Sequence, residues 1–151
     1  HSAIHTTTFQ SYINKQQKDK TFIKPLPTLC AGSWVYGNFS TWVGDHDKNA
    51  AWDLLCAAKH TYDLVIQSQR LTKKEKEAAN QQLASCESSD WFWWFGDYNS
   101  PAAVESFDQL FRKNLINLYK LLKIPAPANV FEPISHGGTA SGESGTMRRT
   151  T

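Results

Sequence analysis

Apolar residues recur at helical spacing through the later part of the chain. Val104, Phe107, Leu110, Phe111, Leu115, Leu118, Tyr119 and Leu122 fall on one stripe. Ser100 and Pro101 before them supply a cap and a proline at the first helical position. The pattern predicts a helix from 101 to about 123. Trp52, Leu55, Cys56, Tyr62, Val65 and Ile66 share a second helical spacing, with Lys59 its one polar member, and predict a helix over about 48–69 with Asp47 as N-cap. Thr72 and Glu75 form a T-x-x-E capping box that opens a third helix to about Glu87, whose modest apolar face is Ala79, Leu83 and Cys86. Residues 88–96 read as a turn and a short helix.

Outside these segments the pattern breaks. Residues 1–28 are polar, and Pro25 and Pro27 oppose helix, so this stretch reads as an extended N-terminal segment. Residues 29–46, interrupted by Gly32, Gly37 and Gly44, read as a structured aromatic loop. The run Ile124-Pro125-Ala126-Pro127 stops the last helix, and Phe131 to Ile134 make a final apolar touch. Residues 135–151, rich in Gly, Ser and Thr, read as a flexible, disordered tail. There is no internal repeat. The fold class expected is mainly α: a three- or four-helix bundle-like domain over 29–134 with aromatic loops at one end.

Composition sharpens this picture in one respect. The 151 residues are 40% hydrophobic and 20% charged, as suits one globular domain, but six of them are Trp. Five of the six stand in two segments, AGSWVYGNFSTW (31–42) and SSDWFWWFG (88–96), mixed with Gly, Ser, Asn and Asp. Trp91, Phe92, Trp93 and Trp94 turn about 100° per residue on a helix and so cover every face. At least one ring should therefore meet something other than the chain's own interior. Flat rings beside hydrogen-bonding groups suit a sugar, a base or a partner protein. Trp34, Trp42, Trp91 and Trp94 are the candidate platforms, and Ser33, Asn38, Asp90 and Asp97 the candidate polar partners. The competing reading is that these rings bury against a further domain, since interfaces are also enriched in Trp and Tyr.

Other chemistry is sparse. Net charge is +2, and Lys73, Lys74 and Lys76 alternate with Glu75 and Glu77, a solvated helix face rather than a phosphate track, so no nucleic acid is expected. Cys30, Cys56 and Cys86 make no C-x-x-C pair, which favours a reducing, cytoplasmic compartment. Asn38-Phe39-Ser40 matches a glycosylation acceptor, a pattern common by chance. No apolar run approaches the roughly 20 residues that span a bilayer, so no membrane contact is expected. The five histidines lack ligand spacing, and no metal or cofactor is expected. There is no G-x-S-x-G and no local Cys-His signature. Asp45, Asp90 and Asp97 lie beside tryptophans, as a glycosidic carboxylate pair would, but Asp45 and Asp47 suit turn and cap roles equally. Asp108 and Arg112 read as an ordinary surface ion pair, worth a few tenths of a kcal/mol. Trp52 and Tyr62 read as core. The only methionine is Met147, so the chain reads as a fragment, a processed product or an engineered piece.

Three stretches carry a family resemblance: AGSWVYGNFSTWVGDHDKNAAWDLL (31–55), SSDWFWWFGD (88–97) and FDQLFRKNLINLY (107–119). In order and spacing they resemble the C-terminal helical region of glycoside hydrolase family 57, the α-amylase and amylopullulanase type, over about residues 25–134. The resemblance implies a parent enzyme with a distorted β/α barrel that carries a glutamate nucleophile and an aspartate acid/base. It implies further that the helical domain packs on that barrel and lends aromatic side chains to the α-glucan cleft. Trp34 and Trp42 fall on the family's cleft-lining tryptophans, and Asp90 and Trp91 on its SDW motif. The chain departs from a full member in lacking the barrel and both catalytic carboxylates. Tyr98 and Asn99 also stand where relatives often carry Asp-Asp-His. The expectation is thus a domain without catalytic residues of its own, whose partners are an α-glucan or maltooligosaccharide and the catalytic barrel of the same parent enzyme. A stand-alone α-glucan-binding module and a helical protein-interaction domain are the alternatives.

Overall fold

A computed structural model describes residues 4–17 and 25–138. The chain divides into two units, 1–32 and 33–151. The first contains helix α1 (Phe9–Gln16), opened by Thr8, whose side chain accepts the Ser11 N–H. This corrects the extended reading of the N-terminal segment. Phe9, Tyr12 and Ile13 share one face at helical spacing, and Gln10, Lys15 and Gln16 are good helix formers, so two capped turns form in a stretch that is polar overall. No residue of α1 is buried. The Pro25–Pro27 stretch is not helical.

The second unit is a helical bundle of α2 (His46–Gln67), α3 (Lys73–Cys86), α4 (Asp90–Trp94) and α5 (Pro101–Leu121), closed by a 3-10 turn at Ala128–Phe131. Among the described residues there is no strand, and no helix is long and apolar enough to cross a membrane. The start of α2 lies two residues earlier than its apolar spacing suggests. Asp45, not Asp47, is the N-cap, and its carboxylate accepts the N–H groups of Asp47 and Lys48. Gly44, at φ +109°, makes the bend that frees Asp45 for this role. The capping box of Thr72 and Glu75 is complete. Pro101 opens α5 as expected, although the Ser100 side chain makes no cap bond.

The core runs between the four helices. Ala51, Leu55 and Ala58 from α2, Ala79, Leu83 and Cys86 from α3, and Phe111, Leu115 and Leu118 from α5 are buried. Phe92 and Phe95 complete it from α4 and its C-cap, each meeting Phe111 edge-on. Trp52 and Tyr62, expected as core, are half-buried and pack on its margin.

The segment after α5 departs most from its reading. Asp108 is only 2% exposed, and its Oδ2 accepts from Arg112 Nε at 2.8 Å and Nη2 at 2.7 Å. Its other oxygen accepts the Ile134 N–H at 2.8 Å, while Arg112 Nη1 donates to the Phe131 carbonyl at 3.0 Å. The pair read as a surface ornament is therefore a buried clamp on residues 131–134. Beyond it, Ser135 is 2% exposed, donates to Asp47 Oδ2 at 2.6 Å and accepts the Gly96 N–H at 3.3 Å. Gly138 N–H donates to the Asn99 carbonyl. Residues 135–138 thus belong to the domain rather than to a tail, and the rest of the expected tail, 139–151, lies outside the described residues.

Replacing Asp108 by Ala would leave the Arg112 guanidinium and the Ile134 N–H without their acceptor inside the protein. The expected cost is about 3–5 kcal/mol, read as a lowered midpoint in urea denaturation. A loss within a few tenths of a kcal/mol would show that the pair acts as a surface bridge.

Candidate functional site

The loop from Ser33 to Gly44 builds one wall of a groove, and its shape is set by short-range polar contacts. Ser33 Oγ accepts the Val35 N–H at 3.1 Å and lies 2.8 and 2.5 Å from the carbonyls of Val35 and Asn38. Asn38 Oδ1 accepts both the N–H and the hydroxyl of Ser40, at 3.0 and 2.7 Å. Tyr36 and Gly37 take successive left-handed conformations at the turn, φ +53° and +67°. Val35 is buried beneath, which leaves Trp34, 77% exposed, and Phe39, 53% exposed, on the outside. Ser33 and Asn38, expected as ligand partners, are thus engaged in holding the loop.

The groove itself encloses about 310 Å³. Trp34, Phe39 and Trp42 line it from the loop, and Trp52 of α2 and Phe92 of α4 form its floor. Those two floor rings stack with centroids 3.9 Å apart and planes 7° from parallel. Trp52 Nε1 donates to the Trp42 carbonyl at 2.8 Å, which ties floor to wall. Glu87 and Ser89, both exposed, form the rim where α3 turns into α4.

Behind the wall stands Trp93. Trp34 stacks on it in near-parallel planes, 9° apart with centroids at 6.0 Å, and Trp42 meets it at 5.9 Å with a 50° tilt. Offset stacking of this kind supports an exposed ring without covering its outer face. The buried Nε1 of Trp42 has no hydrogen-bond partner.

The other expected residues lie elsewhere. Trp91 turns toward α5, against Phe107 and Phe111, and its Nε1 donates to the Ser85 carbonyl at 3.0 Å. Trp94 stacks on Phe107 at 4.7 Å and 11°. Asp90 accepts the Ser88 hydroxyl at 2.9 Å at the start of α4, and Asp97 is exposed in the turn that follows Gly96. Of the eight residues expected from the sequence, Ser33, Trp34 and Trp42 come together at the groove. Trp91 and Trp94 instead fasten α4 to α5. Sequence reasoning missed Phe39, Trp52, Glu87, Ser89, Phe92 and Trp93. The helical offset of Trp93 from the Trp91/Trp94 pair was the one available signal for any of them.

Lys48 was missed as well. Its side chain is buried, 1% exposed, and Nζ donates to the Thr41 carbonyl and to Tyr98 Oη. Tyr98 Oη donates in turn to the Trp93 carbonyl at 3.0 Å. Asn99 Nδ2 serves the exposed C-terminal carbonyls of α4, reaching Trp94 O at 2.8 Å and Trp93 O at 3.3 Å. Burial pushes the Lys48 ammonium down to about 8, partly countered by the Asp45 charge. The inward-facing Tyr98 hydroxyl is pushed up to about 12 by burial, with the Asp45 and Asp97 charges adding to it.

Glu87 is the one carboxylate among the residues lining the groove. Double displacement at a sugar needs two, about 5–5.5 Å apart. What the groove offers is stacking: a bank of flat, partly exposed rings with polar atoms confined to its rim. No family model, curated protein or solved structure matches the chain.

Lys48 also dictates a pH dependence. Its folded pKa lies below the ordinary lysine value of 10.5, so between pH 8 and 10.5 the unfolded chain holds more protons than the folded one. Stability should therefore rise with pH through that window, by at most about 1.4 kcal/mol per pH unit. Above pH 10 the raised Tyr98 works in the opposite direction, because its folded form keeps its proton longer. The Cys86 thiol, pushed up to about 11 by burial, also lowers stability as pH rises past its ordinary value near 9. Denaturant midpoints taken from pH 8 to 9 should therefore climb in the native protein and hold or fall in Lys48→Met. Parallel profiles would show that Lys48 is not the titrating group.

Proposed function

We propose that this chain is the helical domain of an α-glucan-acting glycoside hydrolase of family 57, and that its groove forms part of the cleft that the parent enzyme's catalytic barrel completes. The observation that carries this reading is Trp34: three-quarters exposed, backed by Trp93, and set beside a groove of further rings. A bare indole face held rigid from behind suits the CH-rich face of a glucose unit, and the groove beside it takes the next unit along the chain. Glu87 and Ser89 at the rim accept from or donate to the sugar hydroxyls. The reaction belongs to the two carboxylates of the barrel, so the domain alone binds without turning over substrate. The free thiols of Cys30, Cys56 and Cys86 favour a reducing, cytoplasmic setting.

Titrating the chain with maltoheptaose should change its tryptophan emission, and Trp34→Ala should weaken the apparent affinity at least about tenfold, the loss of roughly 1.4 kcal/mol. The exposed site should leave the variant folded. No spectral change at millimolar sugar would remove the glucan reading. Release of reducing ends from starch at enzyme-like rates by this chain alone would overturn the division of labour with a barrel.

A further inference from the structure

The wall of the groove and its support come from segments far apart in sequence: Trp42 from the 33–44 loop and, behind it, Trp93 from α4. The loop's backbone hydrogen bonds run within itself, from Asn38 to Val35 and from Trp42 and Val43 to Phe39. Ring contact alone leaves such an array free to slide, since stacking energy varies gently with offset. A polar link of defined length is needed to set the register. Trp52 Nε1 ties the Trp42 carbonyl to α2, and a second polar link reaches α4. Thr41, next to Trp42, accepts from Lys48 Nζ; the same Nζ donates to Tyr98 Oη; and Tyr98 Oη donates to the Trp93 carbonyl.

We propose that Lys48 is a positioning residue for the groove, holding Trp42 at its tilted contact with Trp93 through Thr41 on one side and Tyr98 on the other. In calling the groove a binding site the inference rests on the glucan reading; the positioning itself does not. The burial of Lys48 supports it. Among the described residues no carboxylate lies within ion-pair distance of Nζ, and the nearest charge acting on it, Asp45, belongs to the cap of its own helix. An unpaired buried ammonium costs stability, and an apolar side chain of similar length would fill the space without that cost. Bundle packing alone has no use for the charge. A link between two acceptors on separate segments does, because the ammonium carries three donors on one atom.

Two indoles at 5.9 Å and 50° couple their electronic transitions, so the Trp42–Trp93 pair should give an exciton couplet in far-ultraviolet circular dichroism. Trp93→Phe should abolish that couplet and Trp34→Phe should leave it in place, which together assign it to the Trp42–Trp93 pair rather than to the Trp34–Trp93 stack. Lys48→Met should then lose at least half of the couplet while its helical signal and melting temperature hold or rise, and its affinity for maltoheptaose should fall about tenfold. A merely structural role would instead lower the melting temperature and leave the couplet of the folded protein unchanged, which would overturn the proposal. Should Lys48→Met fail to fold, Tyr98→Phe removes one acceptor and keeps the ring. A diminished couplet in that variant supports the link, and a native couplet refutes it. If the couplet behaves as expected while the native protein ignores maltoheptaose, positioning stands and the glucan reading falls.

Discussion

A helix advances about 100° per residue, so the five rings from Trp91 to Phe95 cannot share one neighbour. The domain is organised around how they are divided. Phe92 and Phe95, three apart, enter the core against Phe111. Trp91 and Trp94, also three apart, meet Phe107 on α5. Trp93 has neither direction available and is left to meet the loop, where it supports Trp34 and Trp42. One short helix, too short to be stable in isolation, is thereby packed on three sides. The exposed rings of the groove are the remainder of that division.

Polar groups finish what the rings begin. Asp108, Asn99, Lys48 and Ser135 are all buried, and each ties together segments that lie far apart or lack regular backbone pairing. They are not equivalent. Asp108 has its charge answered by Arg112 and its second oxygen by a backbone N–H, so its burial is compensated in full. Lys48 meets only neutral acceptors, and its lowered pKa is the signature of that difference. A buried charge with a counter-charge has much of its desolvation cost offset, whereas one without carries that cost uncompensated.

The helices were legible because their information is local and periodic. The stripe on α5, the Thr72–Glu75 capping box and the Ser100-Pro101 start each sit within a few residues of the structure they specify. The start of α2 was misplaced because Asp45 and Asp47 are equally good caps in a sequence, and only the bend at Gly44 selects between them. The site was legible in part. That some rings must be exposed follows from their crowding, and Trp34 and Trp42 were identified. Trp91 and Trp94 read as platforms in the sequence because nothing in a run of aromatics says which residues face α5. Lys48, Ser135 and the buried Asp108 were invisible for a different reason: each depends on a partner supplied from another element, at a distance no sequence window spans.

The strap formed by residues 131–138 also determines where this domain can be cut. Gly137 sits at φ +70° with its α-carbon so near the start of α5 that a Cβ there would come within 2.9 Å of Pro101 Cα, so the strand of chain is fitted in place rather than laid over the surface. A terminus placed at the end of the last helix would look safe by helical pattern, yet it would strip the Asp108 clamp, expose the amide of Gly96 and free Asp47 from Ser135. The packed unit therefore extends at least to Gly138. A fusion partner, tag or junction set before that point opens the wall behind α4, the helix on which the groove is hung.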